Sequence, residues 1–263
     1  MPKIKVGDSN LSYESHGQGD PLLLVAGLSG LGSYWYPQLR PFSERYRVIL
    51  HDHRGTGQSD RPIMEYSVDQ MAADVLGLMD ALGIERAHLV GHSTGGAIGQ
   101  IIAIDHPERL RALVIANSWN KADAFFIRCF DVRKELLVKG GVASYQHASP
   151  LFLYPSWWIK ENVERIAEEE KAIISGYPPL ETVLSRIEAI LTFDRTEKLH
   201  TIRTPTLVIG SRDDIVTPPY YSEELASAIP GAKLAMLERG GHVCSQIVPE
   251  EFNEYVLSFI ADH

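Results

Sequence analysis

The sequence predicts an α/β protein in which a mostly parallel sheet of eight strands is flanked by helices and interrupted by one helical insertion. Wholly apolar runs such as Leu22–Ala26 are typical of buried parallel strands, and they recur between stretches of helical spacing such as Tyr66–Leu82. The segment 119–199 contains no such run and is rich in aromatic and charged side chains. We therefore expect a core formed by residues 1–118 and 200–263, with a helical cap of residues 119–199 inserted after the sixth strand.

The individual elements follow from the same patterns. The predicted strands are Ile4–Val6, Leu11–Glu14, Leu22–Ala26, Tyr46–Leu50, Ala87–Val90, Leu113–Ala116, Pro205–Gly210 and Ala232–Leu237. The predicted helices of the core are Tyr66–Leu82, Ala97–Ile104, Tyr220–Ile229 and Phe252–Ile260. The first two strands form a hairpin, since the turn residues Gly7–Asn10 separate them. The later strands alternate with helices, which implies parallel pairing through right-handed crossovers.

The composition limits the kinds of partner. The 263 residues carry a formal net charge of −9 at pH 7, so we expect no nucleic-acid partner, because phosphate binding needs a basic face. We expect no membrane contact and a cytoplasmic location, since no apolar run approaches a membrane span and the N-terminus lacks a signal-peptide pattern. Two cysteines, Cys129 and Cys244, are too few for a disulfide framework or a zinc site. A small-molecule substrate without a metal or cofactor is expected, and a homodimer is one option for the oligomeric state.

One short stretch, Leu89–Gly96, combines a strand end, a tight turn and a helix start. Its Gly91-x-Ser93-x-Gly95 pattern is typical of a nucleophile elbow, a strained turn that projects a serine hydroxyl above the sheet. The two glycines remove Cβ atoms that would collide with neighbouring backbone. The following helix directs free N–H groups and its positive dipole end toward the position of an oxyanion. Taken alone, the pattern also suits an ordinary turn between a strand and a helix.

A serine hydroxyl needs a base, and the base needs an orienting acid, before the serine attacks a carbonyl at neutral pH. Asp213 and Asp214 follow the seventh predicted strand, and His242 follows the eighth. Open parallel sheets form their sites at the carboxyl ends of strands, and serine, acid, histidine is the chain order that a nucleophile elbow requires. The sequence therefore predicts a triad of Ser93, His242 and one of these two aspartates.

The whole chain resembles the α/β-hydrolase fold family. The matching features are the Gly27-Leu28 turn, Asp52–Ser59, the elbow, Asp214–Pro218 and Gly241-His242. In that family the acid lies nine residues after the proline that opens its strand, so the resemblance favours Asp214, nine residues after Pro205. The resemblance also assigns the oxyanion hole to the backbone N–H groups of Leu28 and Thr94. Ala26 stands where the family has a histidine, although a backbone donor does not require that side chain.

A more specific resemblance, to the aminoacrylate hydrolases of pyrimidine utilisation (the pyrimidine utilisation protein D family), extends through the cap. It rests on Ser33–Leu39, Asp52–Gly57, Arg128–Arg133, Pro150–Pro155 and Gly240–Cys244. This resemblance implies hydrolysis of 3-aminoacrylate to malonic semialdehyde and ammonia.

The predicted triad leaves the reaction open between alternatives. Aminoacrylate is an enamine, and water can add to its imine tautomer while His242 moves protons, without a covalent serine step. A carboxylic ester or enol-lactone instead suits attack by Ser93 and an acyl-enzyme. A small-ligand receptor on the same fold is a third alternative, against which a complete triad argues.

Six further side chains are expected to face the substrate. They are Trp35, Trp119, Arg128, Phe152, Tyr154 and Trp158. Arg128, at the start of the cap, suits a substrate carboxylate, with a surface ion pair as the alternative. The aromatic side chains suit either the wall of a pocket or the core of the cap.

Overall fold

The computed structural model describes residues 1–263 and contains eight strands that form one sheet. The strands are β1 Lys3–Val6, β2 Ser9–His16, β3 Pro21–Val25, β4 Arg47–His51, β5 Ala87–His92, β6 Leu110–Ala116, β7 Thr206–Ser211 and β8 Lys233–Leu237. Their order in the sheet is β1-β2-β4-β3-β5-β6-β7-β8. The β1–β2 and β2–β4 pairs are antiparallel, and all other pairs are parallel. The predicted sheet of eight mostly parallel strands is confirmed.

Helices flank the sheet on both faces and form one insertion. They are α1 Tyr36–Ser43, α2 Val68–Ala81, α3 Thr94–Asp105, α4 Ala124–Leu153, α5 Ser156–Glu161, α6 Val163–Ser175, α7 Leu180–Thr192, α8 Pro219–Ala228, α9 Cys244–Ile247 and α10 Pro249–Ala261. Helices α4 to α7 lie between β6 and β7, which confirms the predicted helical insertion after the sixth strand. A bend at Gly141, where φ is 76°, divides α4. None of the helices combines the length and apolar character that crossing a membrane requires.

Two differences from the predicted elements have local causes. The side chain of Ser67 accepts a hydrogen bond from the backbone N–H of Gln70 and caps α2, so the helix begins at Val68 rather than Tyr66. Helix α1 is not predicted, because it contains an internal proline, Pro41, and buries only Gln38 and Phe42. Such a short, proline-containing helix has too few apolar positions for a helical period to emerge.

The sheet separates two apolar cores. The larger, with 40 buried residues, lies between the sheet, α2, α3 and α8, and continues into the cap through α4 and α7. The smaller, with 21 buried residues, lies between the other face, α1 and α10. In β3, Leu23 and Val25 join the first core while Leu22 and Leu24 join the second. Burial on both faces explains why this strand is continuously apolar in sequence.

Four polar side chains follow neighbouring parallel strands. Ser93 follows β5, Asn117 follows β6, Asp214 comes after β7, and His242 comes after β8. Because β5 to β8 are adjacent and parallel, their carboxyl ends meet at one edge of the sheet. This topology brings together residues that are far apart in sequence.

Candidate active site

Ser93 lies between β5 and α3 in a strained backbone conformation. Its φ is 52° and its ψ is −115°, which is unfavourable for a residue with a Cβ atom. A Cβ atom at Gly91 would lie 2.1 Å from the backbone oxygen of Gly95, and one at Gly95 would lie 2.1 Å from the backbone oxygen of Val25. Only glycine fits at these two positions. The pattern seen in the sequence is therefore a steric requirement of this turn.

Ser93, His242 and Asp214 form a hydrogen-bonded chain. The Ser93 hydroxyl lies 3.1 Å from Nε2 of His242, and Nδ1 of His242 lies 2.9 Å from Oδ2 of Asp214. When Nδ1 carries the proton, it donates to Asp214, and Nε2 is free to accept the proton of Ser93. All three side chains are more than nine-tenths buried. This is the geometry of a serine activated by an oriented base.

Asp214 stays ionised although it is buried. Burial raises the pKa of its carboxyl group, but the neighbouring His242 and the hydrogen bonds from Asn117 and Thr217 outweigh burial and leave the pKa below its ordinary value. The Asn117 amide donates to Oδ2 at 2.8 Å, and the Thr217 hydroxyl donates to the same oxygen at 2.7 Å. A carboxylate held in this way stabilises the positive charge that His242 acquires when it takes a proton.

Asp213, the other candidate acid, has a different contact. Its Oδ1 accepts a hydrogen bond of 2.8 Å from the backbone N–H of Gly241. It therefore supports the loop that carries His242. The structure places Asp214, rather than Asp213, against the imidazole.

Asn117 is a residue of the site that the sequence motifs do not single out. It follows β6 with a φ of 45°, a conformation in which asparagine is more frequent than most residues. Besides its contact with Asp214, its Oδ1 accepts a hydrogen bond of 2.9 Å from the thiol of Cys244. An asparagine directly after a buried strand is the only sequence signal, and it becomes informative once the strand order is known.

His92, next to the serine, supports the position of His242. Its Nε2 donates a hydrogen bond of 2.7 Å to the backbone carbonyl of His242, and its ring stacks on Tyr34. Burial lowers the pKa of His92 to about 3, so the ring is neutral at physiological pH. These contacts agree with a structural role and differ from those expected of a base beside Ser93.

The backbone of Leu28 and Thr94 lies beside the serine. A Cβ atom built on Gly27 would lie 3.2 Å from Cβ of Ser93, so the turn that carries Leu28 packs against the elbow. The N–H of Leu28 donates to no other backbone group. Thr94 is the first residue of α3, and the opening N–H groups of a helix have no partner within it. The oxyanion hole at these two groups remains a prediction that this placement makes feasible.

A buried arginine of the cap fixes the Leu28 turn. Arg186 lies on α7. Its Nη2 donates a hydrogen bond of 3.0 Å to the Leu28 carbonyl, and its Nη1 donates one of 3.1 Å to the Arg54 carbonyl. Nη2 also lies 3.2 Å from Nδ1 of His53. The cap is therefore hydrogen-bonded directly to the turn that presents the Leu28 N–H group.

Three of the predicted pocket residues need correction. Trp35 and Trp119 have no exposed surface, so neither presents a face to a ligand. Trp35 packs against Phe252 in the smaller core, and Trp119 stacks on Phe126 in the larger one. Arg128 is exposed on α4, on the side turned away from the core. Aromatic or basic character alone does not indicate which face of an element a residue occupies.

The other three predicted pocket residues lie in the cap near the His242 loop. Phe152 and Tyr154 are half-buried, and Tyr154 stacks on the buried Trp158 at 4.5 Å. A Cβ atom built on Gly241 would lie 2.7 Å from the backbone oxygen of Leu153, so this end of α4 rests on the loop next to His242. Contact of Phe152, Tyr154 and Trp158 with substrate stays a prediction.

The chain shows no grouping of metal-binding side chains. No three His, Cys, Asp or Glu side chains come together in a way that would hold a metal ion. The rings of His92 and His242 lie 5.0 Å apart, but His242 contacts Ser93 and Asp214, and His92 is bonded to backbone. We therefore identify no residue as a metal ligand.

The buried histidines predict how stability depends on pH. Burial lowers the pKa of His51 to about 4 and that of His92 to about 3, from an ordinary value of 6.5. Below pH 6.5 the unfolded chain therefore binds protons that the folded chain does not, so the free energy of unfolding falls as pH falls toward 4. Each such histidine contributes a slope of about 1.4 kcal/mol per pH unit within this window.

Urea unfolding at several pH values measures this slope. The carboxyl group of Asp214 acts in the same direction but below its ordinary pKa of 3.8, since its folded pKa is lowered. Above about pH 4.5, the slope therefore reports the histidines, and Asp214 adds to it only at lower pH. A free energy of unfolding that stays constant from about pH 6.5 to about pH 4.5 would contradict neutral, buried histidines.

Comparison with solved structures places this site on a known fold. Residues 20–141 match the family model described as alpha/beta hydrolase fold. The enol-lactonase from Burkholderia xenovorans LB400 superimposes with a TM-score of 0.91 at 27% identity, over 99% of this chain and 100% of that one. Est816, described as an N-acyl homoserine lactone degrading enzyme, superimposes with a TM-score of 0.87 at 28% identity, over 98% of this chain and 100% of that one.

A relative that matches over its full length identifies the family within this fold. The "Putative carbamate hydrolase RutD" of Azorhizobium caulinodans is 45% identical over 262 residues, which span 100% of this chain and 99% of the relative. The match covers the cap as well as the core, and it confirms the resemblance to pyrimidine utilisation protein D. The chain is an α/β-hydrolase-fold hydrolase and belongs to the RutD family.

Proposed function

We propose that the protein hydrolyses a small carbonyl compound through an acyl-enzyme formed on Ser93. The observation that carries the proposal is the hydrogen-bonded chain from Ser93 through His242 to Asp214. Such an arrangement converts a weak hydroxyl nucleophile into a reactive one. The free N–H groups beside Ser93 add a place for the negative charge that develops on the carbonyl oxygen.

Each group has a defined part in the proposed reaction. Ser93 Oγ attacks the carbonyl carbon, and Nε2 of His242 takes its proton and passes it to the leaving oxygen or nitrogen. Asp214 holds the protonated imidazole, while the N–H groups of Leu28 and Thr94 bind the oxyanion. Water, activated by His242, then cleaves the acyl–serine bond and restores the hydroxyl. Loss of one oxyanion donor in such a site costs about 10²–10³ in rate.

The relatives support a small acyl substrate with a nitrogen or oxygen leaving group. A RutD relative is named for carbamate, in which a carbonyl carbon carries nitrogen. Two structurally similar proteins are named for lactones, in which the carbonyl carbon carries oxygen. Both classes are open to attack by a serine nucleophile. We include carbamates, carboxylic esters and lactones in the proposed substrate range.

Hydrolysis of 3-aminoacrylate is the second candidate, and family membership favours it. Its imine tautomer accepts water at the carbon that bears nitrogen, and the adduct releases ammonia to leave malonic semialdehyde. In this reaction His242 moves the protons, and no bond to Ser93 forms. The two candidates therefore differ in their need for the serine hydroxyl.

One experiment separates the two candidates. The wild-type protein and the variants Ser93→Ala and His242→Ala are tested with p-nitrophenyl acetate and with aminoacrylate generated enzymatically in the assay. The acyl-enzyme proposal predicts that both variants lose ester turnover. Faster aminoacrylate decay that survives Ser93→Ala but is lost in His242→Ala would establish the second candidate. Absence of turnover of either compound, together with tight ligand binding, would indicate a receptor and contradict both.

A further inference from the structure

The chain buries three arginines, and two of them have no carboxylate partner. They are Arg54, Arg133 and Arg186. Arg54 forms ion pairs with Asp74 and Asp8. Arg186 has no carboxylate partner, but both of its terminal nitrogens contact backbone carbonyls. Arg133 differs from both, because it has no carboxylate partner and its guanidinium contacts no backbone carbonyl.

The guanidinium of Arg133 has one hydrogen bond inside the protein. Its Nη2 donates to the Tyr145 hydroxyl at 2.9 Å. Its Nε is buried with no partner, and no carboxylate lies within ion-pair distance. A guanidinium offers five N–H donors, and leaving a buried charge unpaired is costly. Several donors of this group are thus free for an anion that the chain itself does not supply.

Aromatic rings hold the guanidinium in place. Its Cζ lies 4.8 Å from the ring centre of Phe130, 5.2 Å from that of Tyr145 and 5.5 Å from that of Phe152. Cation–π contacts of this kind offset part of the cost of burial, but they leave the N–H donors in the plane of the group unused. The cage therefore orients the cation without neutralising it.

Helix α4 directs this cation toward the body of the protein. The residues that α4 buries before its bend are Phe126, Cys129, Phe130, Arg133 and Leu137. Their spacing of three and four residues defines one face of the helix, and an arginine takes a position where an apolar side chain is expected. Arg128, by contrast, lies on the exposed side of the same helix.

Two observations place this face over the catalytic edge of the sheet. Phe152, one wall of the cage, precedes Leu153, whose carbonyl rests against Gly241 next to His242. Cys129 lies one helical turn from Arg133. Burial raises the pKa of its thiol, the Arg133 charge partly offsets that rise, and the Asp214 charge adds to it. Cys129 is thus within electrostatic reach of both the cap cation and the triad acid.

We propose that Arg133, held by Phe130, Tyr145 and Phe152, is a carboxylate-binding subsite that recognises an acidic substrate between the cap and Ser93. This inference rests on the proposed function for the location of the substrate. It names the substrate class as small carboxylates that carry the scissile bond at their other end. Arg133 thus takes the role in carboxylate binding that the sequence suggested for the exposed Arg128.

Ligand binding tests the subsite without reference to turnover. Malonate, with the neutral malonamide as its counterpart, is titrated into the wild-type protein and the variants Arg133→Met and Arg128→Met by calorimetry. Loss of a charge-assisted contact predicts that malonate binds about 10- to 100-fold more weakly to Arg133→Met. Arg128→Met, a matched change on the exposed side of α4, is expected to bind malonate like the wild type. No malonate binding by the wild type, or equal binding by all three proteins, would overturn the proposal.

Turnover of a paired set of esters provides the second measurement. Monomethyl and dimethyl succinate share the scissile methyl ester, and only the first carries a carboxylate. The ratio of kcat/KM for the monoester to kcat/KM for the diester should fall about 10- to 100-fold in Arg133→Met, mainly through KM. An unchanged ratio would overturn the subsite. If neither ester is hydrolysed, the proposed function fails, while the malonate titration still decides the subsite.

A conservative variant covers the case in which Arg133→Met does not fold. Arg133→Lys keeps the positive charge within the aromatic cage but loses the planar fork of donors. We expect it to bind malonate more weakly than the wild type and more tightly than any folded neutral variant. Binding by Arg133→Lys that equals the wild type would contradict recognition by the guanidinium fork.

Discussion

Replacing Ser93 with alanine is expected to lower kcat for an activated ester by about 10⁵- to 10⁶-fold, the size of loss known for a serine nucleophile in a triad. In the proposed acyl-enzyme reaction this hydroxyl forms the covalent bond, and no other hydroxyl contacts Nε2 of His242. Because the removed group is small and the strained backbone remains, the variant should fold. Stopped assays with p-nitrophenyl acetate measure the loss against spontaneous hydrolysis.

Ser118→Ala is a suitable control for this loss. Ser118 is also buried, and its hydroxyl donates a hydrogen bond of 2.8 Å to the backbone carbonyl of Ser93 rather than contacting the imidazole. We expect this variant to lose about 1 kcal/mol of stability and to retain most of its turnover. Comparable rates for Ser93→Ala and Ser118→Ala would show that Ser93 is not the nucleophile.

Replacing Asp214 with asparagine is expected to lower kcat by about 10⁴-fold with little change in KM. An amide in this position no longer fixes the proton on Nδ1 of His242, so Nε2 is left in the wrong state to accept the serine proton. In the wild type the Asn117 amide donates a hydrogen bond to Asp214. In the variant it would face either the oxygen or the NH₂ group of the new amide, and the NH₂ group cannot accept that hydrogen bond.

Asp213→Asn is the matched comparison, because it changes the neighbouring residue in the same way. Asp213 contacts only the backbone N–H of Gly241 in this loop, and an amide oxygen can still accept that hydrogen bond. We expect a loss of less than about tenfold, well below that of a triad member. A larger loss in Asp213→Asn than in Asp214→Asn would reverse the assignment of the acid.

The parts of the fold and site that sequence predicts are those encoded locally. Parallel strands such as β3 appear as apolar runs because they are buried on both faces. The position of Ser93 follows from Gly91 and Gly95, since a Cβ atom at either would collide with backbone. Local sequence therefore predicts the parallel strands and the position of Ser93.

The parts that sequence does not predict depend on contacts between distant residues. Asn117 belongs to the site only because β6 lies beside β7 in the sheet and thus beside Asp214. Trp35 and Trp119 are in the cores, and composition does not distinguish core from pocket aromatic residues. Arg133 becomes informative only once the absence of a carboxylate partner around it is known.

Covalent labelling shows directly whether His242 activates the hydroxyl of Ser93. A fluorophosphonate probe reacts with a serine hydroxyl that an adjacent base has activated. We expect the wild-type protein to gain one probe, which peptide mass spectrometry locates on Ser93. His242→Ala is predicted to react much more slowly, because it keeps the hydroxyl and loses the base. Absence of labelling in the wild type, or a probe found on another residue, would contradict an activated serine at this site.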